Sequence, residues 1–360
     1  MSPSLRFPEF TGEWEKCKIE DITDAVSSGK SKNHFSNGEY NLYGSTGIIG
    51  RTDKALYDGK LVLVARVGAN AGFLQIINEP CGITDNTLIL KPKGIDAFYL
   101  YYFLQHFNLN RLIFGSGQPL ITGGMLKKVK VSLGTISEQS KIVKFLSLLD
   151  ERTAVQSRLI EDLKKFKCAI VEKLYSEIHG KEYSYRQLFE IINERNSRLE
   201  YSNVLSASQE KGMVNREDLN LDIKFELSNI NTYKIVREGD YVIHLRSFQG
   251  GFAFSNMVGV CSPAYTIMRP KKLLEYGYLS YYFTSRKFIK SLIIVTYGIR
   301  DGRSINVDEW LDMKNIIPSK EQQQHILRTI RGFENKIEVE EMYASCLSKQ
   351  KQYLLRQMFI

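Results

Sequence analysis

Much of this chain is written twice. Tyr101-Tyr102-Phe103 returns as Tyr281-Tyr282-Phe283. Asp58-Gly59, Arg66, Gly72-Phe73, Cys81 and Lys91-Pro92 return in the same order as Glu238-Gly239, Arg246, Gly251-Phe252, Cys261 and Arg269-Pro270. Each copy then runs into a long stretch without proline, 137–176 and 321–359. Repetition at this period predicts a modular chain rather than one continuous globule. Its 360 residues fit two ordinary domains plus connectors. The reading is a first domain (1–136), a first helix (137–179), a second domain (180–319) and a second helix (320–360). Two similar surfaces at a fixed separation suit two separate patches of one long ligand.

The helical stretches carry a narrow apolar seam. In the first, Ile142, Leu146, Leu149, Thr153, Gln156, Ile160, Leu163, Lys167, Ile170 and Leu174 step by four and three alternately. Adding 184 gives Ile326, Ile330, Phe333, Ile337, Glu340, Ala344, Leu347, Lys351, Leu354 and Met358 in the second. A repeat sustained for more than four heptads predicts a coiled coil. Pairing the two helices antiparallel within the chain gives it an internal pseudo-two-fold axis and a rod of roughly 50 Å. Parallel homodimerisation is the alternative. In the antiparallel register Ile142 lies near Met358, Lys167 faces Phe333, and Lys351 faces Leu149. Each lysine then lays its stem on an apolar partner and keeps its ammonium in water.

Each repeat predicts mixed α and β structure. Residues 61–65, 86–90, 241–245 and 264–268 have the apolar, β-branched character of strands. Short amphipathic helices are expected at 96–107 and 275–290, with their tyrosines in the core. Gly-rich segments such as Tyr43-Gly44-Ser45-Thr46-Gly47 are expected as surface loops.

Net charge is +9. The excess is spread as +3, +1, +3 and +2 over the four segments, a balance compatible with a polyanionic partner. No apolar run is long enough to cross a bilayer, and the start of the chain has no signal-peptide character. The five cysteines form no close pair, which points away from zinc or disulfides and toward a reduced, cytoplasmic setting. Catalytic signatures are missing. Gly29-Lys30-Ser31 resembles the tail of a phosphate-binding loop, but Asp24 stands where the first glycine belongs. No two prolines are adjacent, as an adenine methyltransferase motif requires. The histidines have no metal-ligand spacing. Asp162-Leu163-Lys164 and Asp222-Ile223-Lys224 are nuclease-like only in outline. A non-catalytic binder is expected, against a self-contained nuclease or methyltransferase, or a coiled-coil scaffold that binds no DNA.

Several segments resemble the bacterial Type I restriction–modification specificity (S) subunit. They are Leu5-Arg6-Phe7-Pro8-Glu9-Phe10-Thr11-Gly12-Glu13-Trp14, Tyr43 to Gly50, Val236 to Ile243, Gly259 to Tyr265 and Pro318-Ser319-Lys320-Glu321-Gln322. The first copy has Gly134 in place of the proline before Ser137-Glu138-Gln139, a departure expected to matter little. The resemblance implies an α+β fold: two target-recognition domains of mixed α/β structure, separated by two long antiparallel coiled-coil helices. It implies that each domain reads one half of a bipartite double-stranded DNA site. The helices act as the ruler and dock two modification (methyltransferase) subunits, and restriction subunits join this core. S-adenosylmethionine, ATP and Mg are implied for those partners, with no cofactor or metal in this chain.

The duplication also sorts candidate contacts. Domains reading different half-sites should differ where they meet base edges and agree where they meet phosphate or hold the fold. Arg66 and Arg246 are matched and are assigned to phosphate or structure. Unmatched polar loop residues are the base-reading candidates: Lys30, Lys32, Asn33, Ser45, Thr46 and Asn70 in the first domain. In the second they are Arg195, Asn196, Arg198, Ser208, Gln209, Gln249, Arg300 and Arg303. Arg suits the acceptors of guanine, and Asn or Gln suits adenine.

Overall fold

The computed structural model describes residues 3–32, 38–113, 118–208, 211–219, 227–244, 251–297 and 304–360. They form two compact units, one of Met1–Arg158 with Glu341–Ile360 and one of Leu159–Glu340. Each unit therefore contains a domain and a part of both long helices.

The first unit is built on a four-stranded antiparallel sheet in the order Thr23–Ser28, Thr87–Pro92, Lys60–Ala65, Leu74–Asn78. The central strand Leu61-Val-Leu-Val-Ala is buried throughout because both faces are covered. Val62, Val64, Leu88 and Leu90 pack with Tyr99, Leu100 and Phe103 of the helix Ala97–Phe107. Leu61, Leu63 and Ile89 face the other way, onto Cys81 and Ile83. That second layer is a small sheet of Gly47–Thr52, Tyr40–Gly44 and Cys81–Ile83. The helix starts at Asp96, whose Oδ1 accepts from Phe98 N at 2.7 Å, satisfying a free first-turn amide.

The second unit repeats this order with Phe189–Ile192, Thr266–Pro270, Tyr241–Ile243 and Phe252–Phe254. Tyr241, Ile243, Phe252 and Met268 face the helical side, and Val242, Ala253 and Ile267 face a hairpin of Leu205–Ser208 and Gly212–Asn215. A two-stranded ladder closes each domain, Glu15–Lys18 with Lys130–Leu133 and Lys181–Ser184 with Lys314–Ile317. The fold is α+β, and the duplication extends to strand order.

The helices span Ile136–Ser176 and Lys320–Met358. Ile142, Leu146, Ile326, Ile330, Ile337, Leu347, Leu354 and Met358 are buried. Leu149, Ile160, Leu163, Ile170, Leu174 and Phe333 are partly buried, and no seam position is exposed. Within the first unit Lys351 meets Asp150, and within the second Lys167 meets Glu334. The helices run antiparallel, within one residue of the expected register. The lysines, however, do not end in water: each ammonium sits on a carboxylate beside the expected apolar partner.

Other expectations need correcting. The stretch 275–290 is two short helices, Tyr278–Tyr282 and Arg286–Ser291, because Ser285 caps a new start through its bond from Phe288 N. Of Tyr43 to Gly47, expected as a surface loop, only Ser45-Thr46 form a turn, and the rest are strand ends of a hairpin, with Gly47 at φ +137°. The Tyr-Tyr-Phe match is one residue out of step. Asp96 N and Glu275 N bond to Gln139 and Gln323, which pairs Tyr99 with Tyr278 and Tyr102 with Tyr281. Gly134 also matters. A Cβ there would lie 2.3 Å from Glu138 Oε2 and 2.9 Å from Trp14 Nε1.

Candidate nucleic-acid interface

One end of the first domain's sheet gathers loops that are far apart in sequence. The strands ending at Ser28 and Ala65 and those starting at Leu74 and Thr87 all meet there. Main-chain bonds stitch the loops together. Gly29 N donates to Thr87 O, and Ser31 N to Ile83 O, whose own N–H returns to Ser31 Oγ. Asn86 O accepts from Arg66 N at 2.9 Å and from Ser45 Oγ at 3.3 Å. Gln75 Nε2 holds the hairpin turn by donating to Gly44 O and Ser45 O. Strand ends fixed by a packed sheet are where loops can present side chains in a set geometry.

This arrangement brings Lys30, Lys32, Ser45, Thr46 and Asn70 to one end. All are exposed except Ser45, which is partly buried. Asn33 lies outside the described residues. Arg66 belongs to the same cluster, partly buried, with its Nε enclosed and without a partner among the described residues. Reading the sequence missed Asn86, whose carbonyl is the hub and whose amide is exposed, and Asp85 beside it. Neither stands in a Gly-rich segment, so composition gave no signal. Their position between two strands of different layers is the property that counts.

The corresponding end of the second domain carries Arg195 and Arg198, both exposed, whereas Ser208, whose Oγ accepts from Lys211 N, is paired with Gly212 against Phe254 at the far end of its strand. Asn196 does not belong with the arginines. It is 1% exposed, and its amide donates to Tyr201 O at 2.8 Å while Oδ1 accepts from Tyr201 N at 3.2 Å. A side chain fully used to staple its own loop cannot reach a base. Gln209, Gln249, Arg300, Arg303 and Arg246 lie outside the described residues. Ala65 N bonds to Phe73 O as His244 N bonds to Gly251 O, so His244 takes the place of Ala65. Lys234 Nζ donates to Tyr265 O at 2.8 Å, and the Tyr265 ring stands edge-on to His244, centroids 5.0 Å apart.

These ends present ammonium, guanidinium, hydroxyl and amide groups, the set that contacts phosphates and base edges. Among the described residues no cluster of His, Cys, Asp or Glu is placed to hold a metal ion. The buried thiols of Cys81 and Cys261 are pushed up, mainly by desolvation, to about 11 and about 12, which keeps them protonated and poor nucleophiles. No helix of the described residues is long and apolar enough to cross a membrane.

Residues 11–165 match the family described as Type I restriction modification DNA specificity domain. The putative type I restriction enzyme MjaX specificity subunit of Methanocaldococcus jannaschii is 23% identical over 296 residues, covering 75% of this chain and 69% of the relative. The MjaVIII specificity subunit of the same organism is 23% identical over 330 residues, covering 82% and 77%. Among solved structures, the S subunit of a type I restriction–modification system from M. genitalium aligns with a TM-score of 0.58 at 15% identity, covering 100% and 99% of the two chains. A chain solved in work on complex assembly and conformational transition of the type I R-M system aligns with a TM-score of 0.61 at 12% identity, covering 96% and 97%. At these identities the structural likeness speaks for the fold.

Proposed function

We propose that this chain, like the type I restriction–modification specificity subunits it resembles over most of its length, is the non-catalytic DNA-recognition subunit of such a complex. Each domain reads one half of a bipartite double-stranded site, and the helix pair sets the unspecified spacer between the halves. The observation that carries this reading is the loop-gathering sheet end, built twice on one strand order with unlike side chains. The basic excess adds a sequence-independent attraction to phosphate. The chain supplies binding and position. Adenine methylation with S-adenosylmethionine belongs to two modification subunits, and ATP- and Mg-dependent cleavage to restriction subunits.

The helices offer a face for those partners. In the first unit Leu148 and Val155 of the first helix and Tyr353 of the second are all exposed, at 55–62%. By heptad position they lie on the flank away from Asp150, which is taken by the domain. Large apolar side chains held out of both core and seam suit the packing of partner helices.

A domain exchange tests the proposal. Replacing residues 1–136 with the first domain of another family member, followed by methylation-aware sequencing of host DNA, should change one half of the mark and leave the other. A change in both halves, or no sequence-specific shift in a gel titration with the modification partner at several salt concentrations, refutes it.

A further inference from the structure

A three-residue joint occurs twice, once in each unit. In the first, Asp150 of the first long helix accepts from Lys351 Nζ of the second at 2.5 Å and from the Tyr102 hydroxyl of the domain at 2.8 Å. In the second the roles of the helices are exchanged. Glu334 of the second long helix accepts from Lys167 Nζ of the first at 3.2 Å and from the Tyr281 hydroxyl of the domain at 2.5 Å. The carboxylates are 184 residues apart and so are the lysines, which is the offset of the seam itself. The tyrosines are 179 apart, the same offset as Asp96 and Glu275. Six side chains that obey the repeat this closely form an inherited element of the duplication.

The chemistry of the joint is directional. Both lysines stand at seam positions, where a charge is costly without a partner. Both phenols are raised above their ordinary pKa, chiefly by burial, so each remains a donor at neutral pH. The carboxylate therefore takes two bonds, one charged and one neutral, and gathers domain, first helix and second helix at one group. Lys351 also lies 5.3 Å from the centre of the Tyr102 ring. Apolar contacts between a domain and a helix pair tolerate small rotations, whereas a carboxylate bonded to both sides does not.

We propose that the two joints are positioning residues for target spacing: they fix how each domain is carried on the helix pair, and so the number of base pairs accepted between the half-sites. This rests on the two-domain reading above. Adding one base pair to the spacer shifts the second half-site by about 3.4 Å and turns it by about 34°. A domain held by its joint resists that displacement, and a domain free to rock accommodates it.

The test is the Tyr102→Phe/Tyr281→Phe double variant, assembled with the modification subunits. Methylation rates are measured on duplexes carrying the host target with its own spacer, one base pair shorter and one longer. The phenylalanines keep the apolar packing and remove the bonds to the carboxylates, together with the 3.3 Å contact of the Tyr102 hydroxyl with Ser147 Oγ. The wild type should strongly prefer its own spacer. In the variant that preference should fall about tenfold or more, the scale of one hydrogen bond to a charged group. The half-site sequences should stay as they are. An Asp150→Glu/Glu334→Asp exchange, which keeps the acceptor in both joints, should retain the preference. An unchanged preference in the double variant, with at most a lower melting temperature, reduces the joints to structural glue and leaves the domain reading standing. Loss of half-site specificity in the wild type itself would overturn both.

Discussion

The start of the first long helix offers a stability test whose sign depends on which partner is removed. Glu138 is 1% exposed in the first turn of Ile136–Ser176. Its carboxylate accepts from Arg6 Nε at 2.7 Å and Arg6 Nη2 at 2.8 Å, a two-pronged grip from the chain's opening segment. Arg6 Nη1 continues to Gly12 O. Deleting Arg6 strands the acid where water does not reach it, and breaking a buried pair from one side costs about 3–5 kcal/mol. The helix N-terminus offsets about 0.3–1 kcal/mol of this by favouring an anion in its first turn. We expect about 3 kcal/mol for Arg6→Ala. Glu138→Gln is milder, about 1–2 kcal/mol, because the freed guanidinium can turn to solvent and the amide keeps one acceptor. The chain has two tryptophans, Trp14 in the first unit and Trp310 in the second. A 5-fluorotryptophan-labelled protein therefore gives one fluorine resonance per unit. Urea titration should move the Trp14 midpoint far more in Arg6→Ala than in Glu138→Gln and leave that of Trp310 in place. If Glu138→Gln costs as much as Arg6→Ala, the stranded-charge argument is wrong.

The same assay reaches other positions. Gly134→Ala should destabilise the first unit by about 1–3 kcal/mol, read as a lower Trp14 midpoint, since the new Cβ drives into Glu138 and Trp14. Asn196→Ala should destabilise the second unit by about 1–3 kcal/mol, leaving Tyr201 main-chain groups unpaired, while the methylated target stays unchanged. The Glu79 carboxylate is held below its ordinary pKa by Asn41 Nδ2 and the Tyr43 hydroxyl. A depressed folded pKa contributes stability that is complete above the unfolded value of about 4.3 and is lost as pH falls through the folded value. Urea midpoints of Tyr43→Phe should therefore fall less steeply on acidification than those of the wild type. Inserting one heptad after Arg158 and one after Glu340 adds about 10.5 Å of helix, roughly three base pairs of DNA. Methylome sequencing should find the same half-sites with a spacer longer by that amount.

The helix pair was legible because its signal is periodic: alternate steps of four and three survive Thr153, Gln156 and both lysines. Even the joints left a trace, since Asp150 and Glu334 stand 184 residues apart beside the seam. Lysine partners were misjudged because a seam position suggests an apolar neighbour, whereas the acid comes from the flank. Matching letters misled elsewhere. Tyr-Tyr-Phe aligns by identity at 180, yet the hydrogen bonds to Gln139 and Gln323 require 179, so Ser280 sits opposite Tyr101. Asn196 failed for another reason. Exposed and stapled asparagines look alike in a polar loop, and only the bonds to Tyr201 distinguish them. Gly134 read as a neutral departure because its constraint comes from Trp14, more than a hundred residues away, and from a Glu138 carboxylate that the equally distant Arg6 holds in place.

The two domains agree and disagree in different places. Where they grip the helices, the bonds correspond. Gln139 Nε2 donates to Gly134 O as Gln323 Nε2 donates to Pro318 O, and the tyrosine–carboxylate–lysine joints repeat. At the loop end they do not correspond. Asn86 O gathers Arg66 and Ser45 in one domain, and Tyr265 O receives Lys234 under a ring packed against His244 in the other. On the proposed reading, side-chain chemistry there sets which base edges can be satisfied, so unlike ends favour unlike half-sites. A duplicated scaffold for identical protein partners would need the loop ends to match. Divergence at the loop end, over a shared grip on the helices, instead supports the asymmetric bipartite target proposed above. A methylated site with two identical half-sites would contradict that proposal.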